Sequence, residues 1–410
     1  MKSYVRFLKA HYALLAFGAL FAFFSSFGQT FLVSLFVPHF RDVFDLSSSL
    51  FGTIYSLATV TSALVLPWAG KQMDRISLQY FSVCVAAGLV VATGLLSVTQ
   101  GIATLFLGLM GIRLFGQALS MHTSQTSMAR YFNENRGKAL SIAGLGLPLG
   151  EAILPVSVAF LISLAGWRMG WGLMSVTSLV ILLPGIILLL RLGRKQGDES
   201  AVNGGDGEPP KGIKGKQWSR GDALRNWRFY IVAPVGITIP FMLTGLFLYQ
   251  LQLAESKGWS VELMASGFVA FAISKSVFSL LSGPIIDRVS AQKLFPFVLL
   301  PLGAGVFFLN NFDWPGIVFV YLFFTGMSQG VEINVKNALY AELYGVAHIG
   351  AIRSLMSTLM VMSTAVSPAL FGYLIDIDIS FTWILNGCLI MIAINTILAL
   401  FIGFNVRKSG

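Results

Sequence analysis

Long apolar runs separated by short polar breaks account for most of the chain. Twelve are legible, at residues 12–37, 48–70, 78–99, 101–128, 139–164 and 170–192, then 229–253, 261–286, 293–309, 314–340, 349–374 and 381–404. Runs of about 17 to 28 residues are the length that tilted helices need to cross the hydrocarbon core of a bilayer. The one long polar stretch, 193–227, is rich in Gly, Pro and charge and cannot bury a core, which predicts a mobile linker. The pattern predicts an all-α membrane protein with twelve transmembrane helices: a six-helix bundle over 1–192, the linker over 193–227, and a second bundle over 228–410.

The polar breaks alternate in charge. Lys2, Arg6 and Lys9 precede the first run, Arg130, Arg136 and Lys138 outnumber Glu134 in one link, and Arg407 and Lys408 close the chain. The links that carry Asp42, Asp45, Glu255, Glu262, Asp313, Asp376 and Asp378 are acidic. Basic loops stay on the cytoplasmic side, so both termini and the linker are expected there, in a multi-pass protein of the cell inner (plasma) membrane. The net charge of +10 is explained by this alternation, and no nucleic-acid partner is implied. The first run is too long for the apolar region of a cleaved signal and reads as a span.

Composition agrees with the pattern. Charged residues are 11% of the chain, with a mean hydropathy of +0.76, where a soluble chain carries about 25% charge. Cys84 and Cys388 both sit inside apolar runs and read as core residues, with no disulfide framework and no metal site. Four His and two distant Cys supply no nucleophile–base or metal constellation, so no enzyme and no cofactor is expected. No phosphate-cradling loop suggests ATP-driven pumping.

The charges left inside the runs point to transport. Within 111–151, Arg113 and Glu151 lie on opposite sides of a basic link, each at a depth of roughly 20 Å from the same membrane surface. Opposite charges at one depth in a bilayer are costly unless they pair or face water. Lys275 and Glu332 sit at similar depths in their own runs, and either Glu332 or Glu151 could partner Lys275 when no anion is bound. Glu151 and Glu332 are the candidate proton carriers. The plainer alternatives are static braces, Arg113–Glu151 and Lys275–Glu332. Lys336 forms an i, i+4 spacing with Glu332 and reads as a helical ion pair close enough to the inner surface to snorkel. Arg353 reads as a cytoplasmic anchor or gate residue, and His122 more as a structural histidine than a coupling residue.

The two halves repeat. GKQMDR at 70–75 recurs as GPIIDR at 283–288, so Gly70, Asp74 and Arg75 match Gly283, Asp287 and Arg288. A Gly ending a helix before an Asp-Arg pair makes a tight turn whose charges can latch neighbouring helices. The two copies resemble the loop motif of the major facilitator superfamily. Arg113, Gly116 and Gln117 are similar to its fourth-span pattern, with the Gly one residue early. The segments 131–150 and 342–355 are similar to the monocarboxylate and oxalate–formate porter branch. The chain departs from the drug-exporter motif at Leu147-Pro148 and has Ser279 where the organic-anion branch often places an Arg, with Lys275 one turn away.

The resemblance implies two bundles around a central cavity and alternating access about a site near the midplane. Residues expected to touch substrate are Lys275, Arg113, Gln29, Tyr55, Gln117, Gln250 and Ser357. The expected function is secondary transport of a small organic anion, a mono- or dicarboxylate, driven by protons or by a counter-anion, by a monomer in the lipid bilayer. Alternatives are a transporter of neutral solutes, an exporter of lipophilic drugs, or a non-transporting membrane sensor.

Overall fold

The computed structural model describes residues 7–132, 135–195, 218, 220–345 and 349–404. The expectations for Lys2, Arg6, Glu134, the stretch 196–217, Arg407 and Lys408 fall outside the described residues. Among the described residues every regular element is helical.

Among those residues, ten helices are long and apolar enough to cross a membrane: Ser48–Asp74, Leu78–Ser97, Ile102–Tyr131, Arg136–Gly193, Trp227–Leu248, Val261–Val289, Ala291–Asn311, Ile317–Tyr344, Ile352–Asp376 and Phe381–Ile402. A further span is the bent pair Tyr12–Gly28 and Thr30–Val43, whose parts meet at 46°. The 58-residue helix Arg136–Gly193 is long enough to hold two spans in one. Gly166 divides it at φ 79° and ψ 164°, a backbone conformation that residues with a Cβ rarely adopt. The twelve predicted spans are thus present, although the first extends past residue 37 to Val43. Pro38 fits its last helix because a first-turn Pro lacks only an unbonded N–H.

The chain divides into two compact units, Met1–Leu46 with Leu57–Gly207, and Ser47–Ser56 with Glu208–Gly410. In the first unit, aromatic contacts hold the C-terminal part of span 1 to the helix after Gly166. Phe36 packs on Trp171 at 4.3 Å between ring centroids and Phe40 meets Trp167 edge-on at 5.2 Å. In the second, polar contacts tie span 8 (Val261–Val289) to span 10 (Ile317–Tyr344). Ser274 Oγ donates to the Phe323 carbonyl at 2.7 Å, and Asn334 Nδ2 donates to the Ser279 carbonyl at 2.7 Å and to Ser282 Oγ at 2.8 Å. Such interhelical bonds contribute about 1 kcal/mol each in a membrane, where greasy surfaces alone give helices no preference for one another. Leu64, Trp68, Leu164, Leu280 and Trp383 are exposed on helix surfaces, as lipid contact requires.

Candidate functional site

The first unit gathers its polar residues where two helices lose regularity together. Span 1 stops being α-helical at Phe24, runs through a tight turn over Ser25–Gly28, and turns extended at Gln29 (φ −81°, ψ 147°) before resuming at Thr30. Opposite it, span 4 widens into a π-helical segment, Ile112–Ser120. A widened turn displaces backbone bonds from their usual partners, and Ser120 Oγ takes up the Phe115 carbonyl at 2.7 Å. The two irregularities fit each other. A Cβ on Gly28 would collide with the Ile112 carbonyl and come within 2.5 Å of the Gln117 nitrogen, so the helices meet backbone to backbone.

Three of the predicted site residues converge on this contact. Arg113 is 4% exposed, donates from Nε to the Thr59 hydroxyl at 3.1 Å and from Nη1 to the Gly28 carbonyl at 3.4 Å. Gln117 Nε2 donates to Gln29 Oε1 at 3.0 Å. Span 5 reaches the same break, with Gly150 packed directly on Ser26, and Glu151 beside it is 4% exposed. The loop motif of this unit is engaged as well. Asp74 forms an ion pair with Arg130, which also donates to the Met73 carbonyl at 3.0 Å, and Gly70 lies against the His122 ring. In the second unit, Glu342 caps the turn after the matching motif by accepting from the backbone N–H groups of Ala291 at 2.8 Å and Gln292 at 3.1 Å.

The second unit contains a cavity of about 180 Å³ between spans 7, 10 and 11. Its lining follows helical spacing. Ala233, Gly236 and Ile237 come from span 7 (Trp227–Leu248), Lys336, Asn337 and Tyr340 from span 10, and Arg353, Met356, Ser357 and Met360 from span 11 (Ile352–Asp376). Residues three and four apart share a helix face, so each helix turns one stripe inward. Lys336 and Tyr340 lean over Gly236, with Lys336 Cδ and the Tyr340 hydroxyl each 3.7 Å from where a Cβ would stand. The Lys336 ammonium is 2.8 Å from Glu332 Oε1, and the carboxylate side chain is 8% exposed. Span 10 therefore sets a cation on the cavity wall with its counter-ion one turn behind.

Of the remaining predicted residues, Ser357 lines this cavity, whereas Tyr55 and Gln250 are fully buried. Lys275 is half-buried on span 8, its ammonium 5.4 Å from the centre of the Phe271 ring. The ion partner that Glu332 takes is Lys336 in its own helix. Lys336, Arg353, Asn337 and Tyr340 are not among the residues expected from the sequence to touch substrate. Arg353 carries a usable sequence signal: it stands four residues before Ser357, a spacing that puts both on one helix face.

A sequence profile of the Major Facilitator Superfamily matches residues 18–268 and 237–409. No curated protein matches the chain. Among solved structures, a bacterial homolog of the human lysosomal transporter Spinster is similar in its inward-facing, unoccupied conformation, with a TM-score of 0.65 at 13% identity over 97% of this chain and 98% of that one. The occupied inward-facing conformation gives 0.66 at 14% identity, over 95% and 96%. At that identity the likeness is one of fold.

Proposed function

The chain belongs to the major facilitator superfamily and is a transporter, not an enzyme, and we propose that its cargo is a small organic anion, a mono- or dicarboxylate, moved by alternating access. The observation that carries this reading is the presence of two cationic side chains, half-buried Lys336 and exposed Arg353, on one cavity of an apolar helical unit. Two cations lining one concave site raise the local concentration of anions, and Lys336 stands on a membrane-spanning helix, where a charge without a functional role is seldom tolerated. Arg113 and Lys275 add further cations, and Gln29, Tyr55, Gln117, Gln250 and Ser357 are the neutral groups proposed to bond the substrate.

Transport is driven by proton symport or by anion exchange. Glu151 and Glu332, both buried on transmembrane helices, are the groups proposed to take up the proton. The motif residues Gly70, Asp74 and Arg75, and Gly283, Asp287 and Arg288, serve as conformational latches; the second set lies within the last turns of the helix Val261–Val289 and not in the tight turn that the sequence motif predicts. The protein works as a monomer with both termini in the cytoplasm.

Thermal stabilisation of the purified protein by carboxylates, sugars and lipophilic cations at two pH values tests the cargo. Stabilisation by carboxylates supports the reading, and stabilisation by sugars or lipophilic cations alone overturns it. In proteoliposomes, acceleration by an imposed proton gradient identifies symport, and acceleration by anion on the far side identifies exchange. Binding without any flux would make the protein a sensor.

A further inference from the structure

The lining of the cavity in the second unit combines two chemistries, and they define a ligand. Lys336, Tyr340, Asn337, Arg353 and Ser357 supply cationic and hydrogen-bonding groups, while Ala233, Ile237, Met356 and Met360 supply apolar surface between them. Resting on the anion reading above, we infer that this cavity is the binding site of an amphiphilic monoanion: one carboxylate on an apolar body of about six carbons, comparable in size to benzoate.

Charge sets the first part of that description. Lys336 and Arg353 bring two positive charges, and the Glu332 carboxylate bonded to Lys336 cancels one. A single positive charge is left for the ligand to balance. A dianion would leave the site negative, and its second carboxylate would meet only Lys336, which is already bonded to Glu332. Arg353 is the primary carboxylate anchor, since its planar fork matches both oxygens and its charge is permanent. Lys336 is already committed to Glu332 and acts as a secondary donor, alongside the Tyr340 hydroxyl.

Volume and wall chemistry set the rest. A cavity of about 150 Å³ with an apolar lining accommodates benzene, and this one measures about 180 Å³ with five of its ten lining residues polar. Acetate or inorganic phosphate would leave the space beside Met356 and Met360 unfilled. Met356 and Met360, one helical turn apart, are flexible and polarisable, so they can close on an aromatic ring or on a saturated one of similar size.

The test is binding to the full-length purified protein, measured by calorimetry and thermal shift. The probes are benzoate, cyclohexanecarboxylate, acetate, succinate, benzyl alcohol and benzylammonium. Benzoate and cyclohexanecarboxylate should bind at least about tenfold more tightly than acetate or succinate, a difference of about 1.4 kcal/mol. Arg353→Gln should lower benzoate affinity by about tenfold or more, and Arg353→Lys should restore part of it. Met360→Asn should narrow the preference for benzoate over acetate without unfolding the protein, because Met360 is only half-buried. Succinate binding more tightly than benzoate, or Arg353→Gln leaving benzoate affinity unchanged, would overturn the site while leaving anion transport standing. Binding of benzyl alcohol or benzylammonium with no binding of any carboxylate would overturn the anion reading itself.

Discussion

The Asp376 carboxylate accepts a hydrogen bond from the backbone N–H of Ser49 at 2.7 Å, and its other oxygen accepts from Ser48 at 2.8 Å. Both donors open the helix Ser48–Asp74, where Ser47 Oγ accepts from the Leu50 N–H at 3.2 Å, so the end of span 11 satisfies the two first-turn N–H groups that this cap leaves over. The Tyr249 hydroxyl lies 2.8 Å from the Ser48 carbonyl and 2.9 Å from that of Pro368, completing the junction from span 7. Asp376 is exposed, so its removal should cost at the low end of capping effects. Asp376→Ala is expected to destabilise by about 1 kcal/mol, and Asp376→Asn by less, since the amide keeps one acceptor. Tyr249 is 1% exposed, and Tyr249→Phe should cost about as much through a lost buried hydrogen bond. Thermal unfolding in one detergent ranks the three variants. Asp376→Asn matching Asp376→Ala would mean that the charge, not the acceptor geometry, holds the helix end.

Span 10 makes an asymmetric prediction. Glu332 is the more enclosed member of its pair, with its side chain 8% exposed against 18% for Lys336, which reaches the cavity. Lys336→Met strands a carboxylate in the helix interior and should cost about 3 kcal/mol or force its protonation. Glu332→Gln strands an ammonium that can turn toward the cavity, and should cost less. The double variant should recover much of the stability lost in Lys336→Met. Equal losses in the two single variants would show that the cavity does nothing for the lysine. If the cavity binds a carboxylate, Glu332→Gln should also tighten benzoate binding, because Lys336 is then free to donate to the ligand.

The spans are legible in the sequence because each is a run of apolar residues of membrane-crossing length, a property that needs no knowledge of neighbours. The division at Gly166 falls between two of those runs for the same reason. The break in span 1 is hidden, because the run stays apolar on average through residues 12–37. Its local signal is the small and polar cluster Ser25, Ser26, Gly28 and Gln29, a composition that interrupts helices. The π-helical segment of span 4 has no such signal, since its shape answers to the broken helix opposite. Lys336 is legible as the partner of Glu332 and not as a cavity residue. That second role depends on which stripes of spans 7 and 11 turn inward, and helical spacing alone leaves the choice of stripe open.

Two glycines should respond in opposite ways to the same substitution. Gly28→Ala drives a methyl group into the Ile112 carbonyl, and backbone cannot swing aside as a side chain can. It should cost about 3 kcal/mol and sharply lower the yield of folded protein. Gly387 lies in the span Phe381–Ile402, exposed on the helix surface, and a methyl group added there would meet nothing within 4 Å. Gly387→Ala should be neutral or stabilising by up to about 1 kcal/mol, because alanine loses less backbone freedom on forming a helix. Fluorescence-detected size exclusion after graded heating reads both. Tolerance of alanine at residue 28 would mean that the two irregular helices do not meet as closely as described.

Arg113 separates a positional role from a purely ionic one. Its Nε and Nη1 atoms donate in different directions, to the Thr59 hydroxyl and to the Gly28 carbonyl exposed by the break in span 1. Lysine keeps the charge but places it as a single point, and cannot span both acceptors with fixed geometry. Arg113→Lys is therefore expected to lose most transport while keeping much of the fold. Thr59→Val preserves shape, removes one acceptor, and leaves a buried N–H without that partner, at a cost of about 1–3 kcal/mol. If Arg113 acts by holding the break in span 1 against span 4, Thr59→Val and Arg113→Lys should impair transport together, and combining them should add little. If Arg113 acts only as a charge for an anion, Arg113→Lys should retain substantial uptake and Thr59→Val should alter stability alone. Uptake rates in proteoliposomes, normalised to folded protein, decide between the two, and full activity in Arg113→Lys would remove the guanidinium geometry from the mechanism.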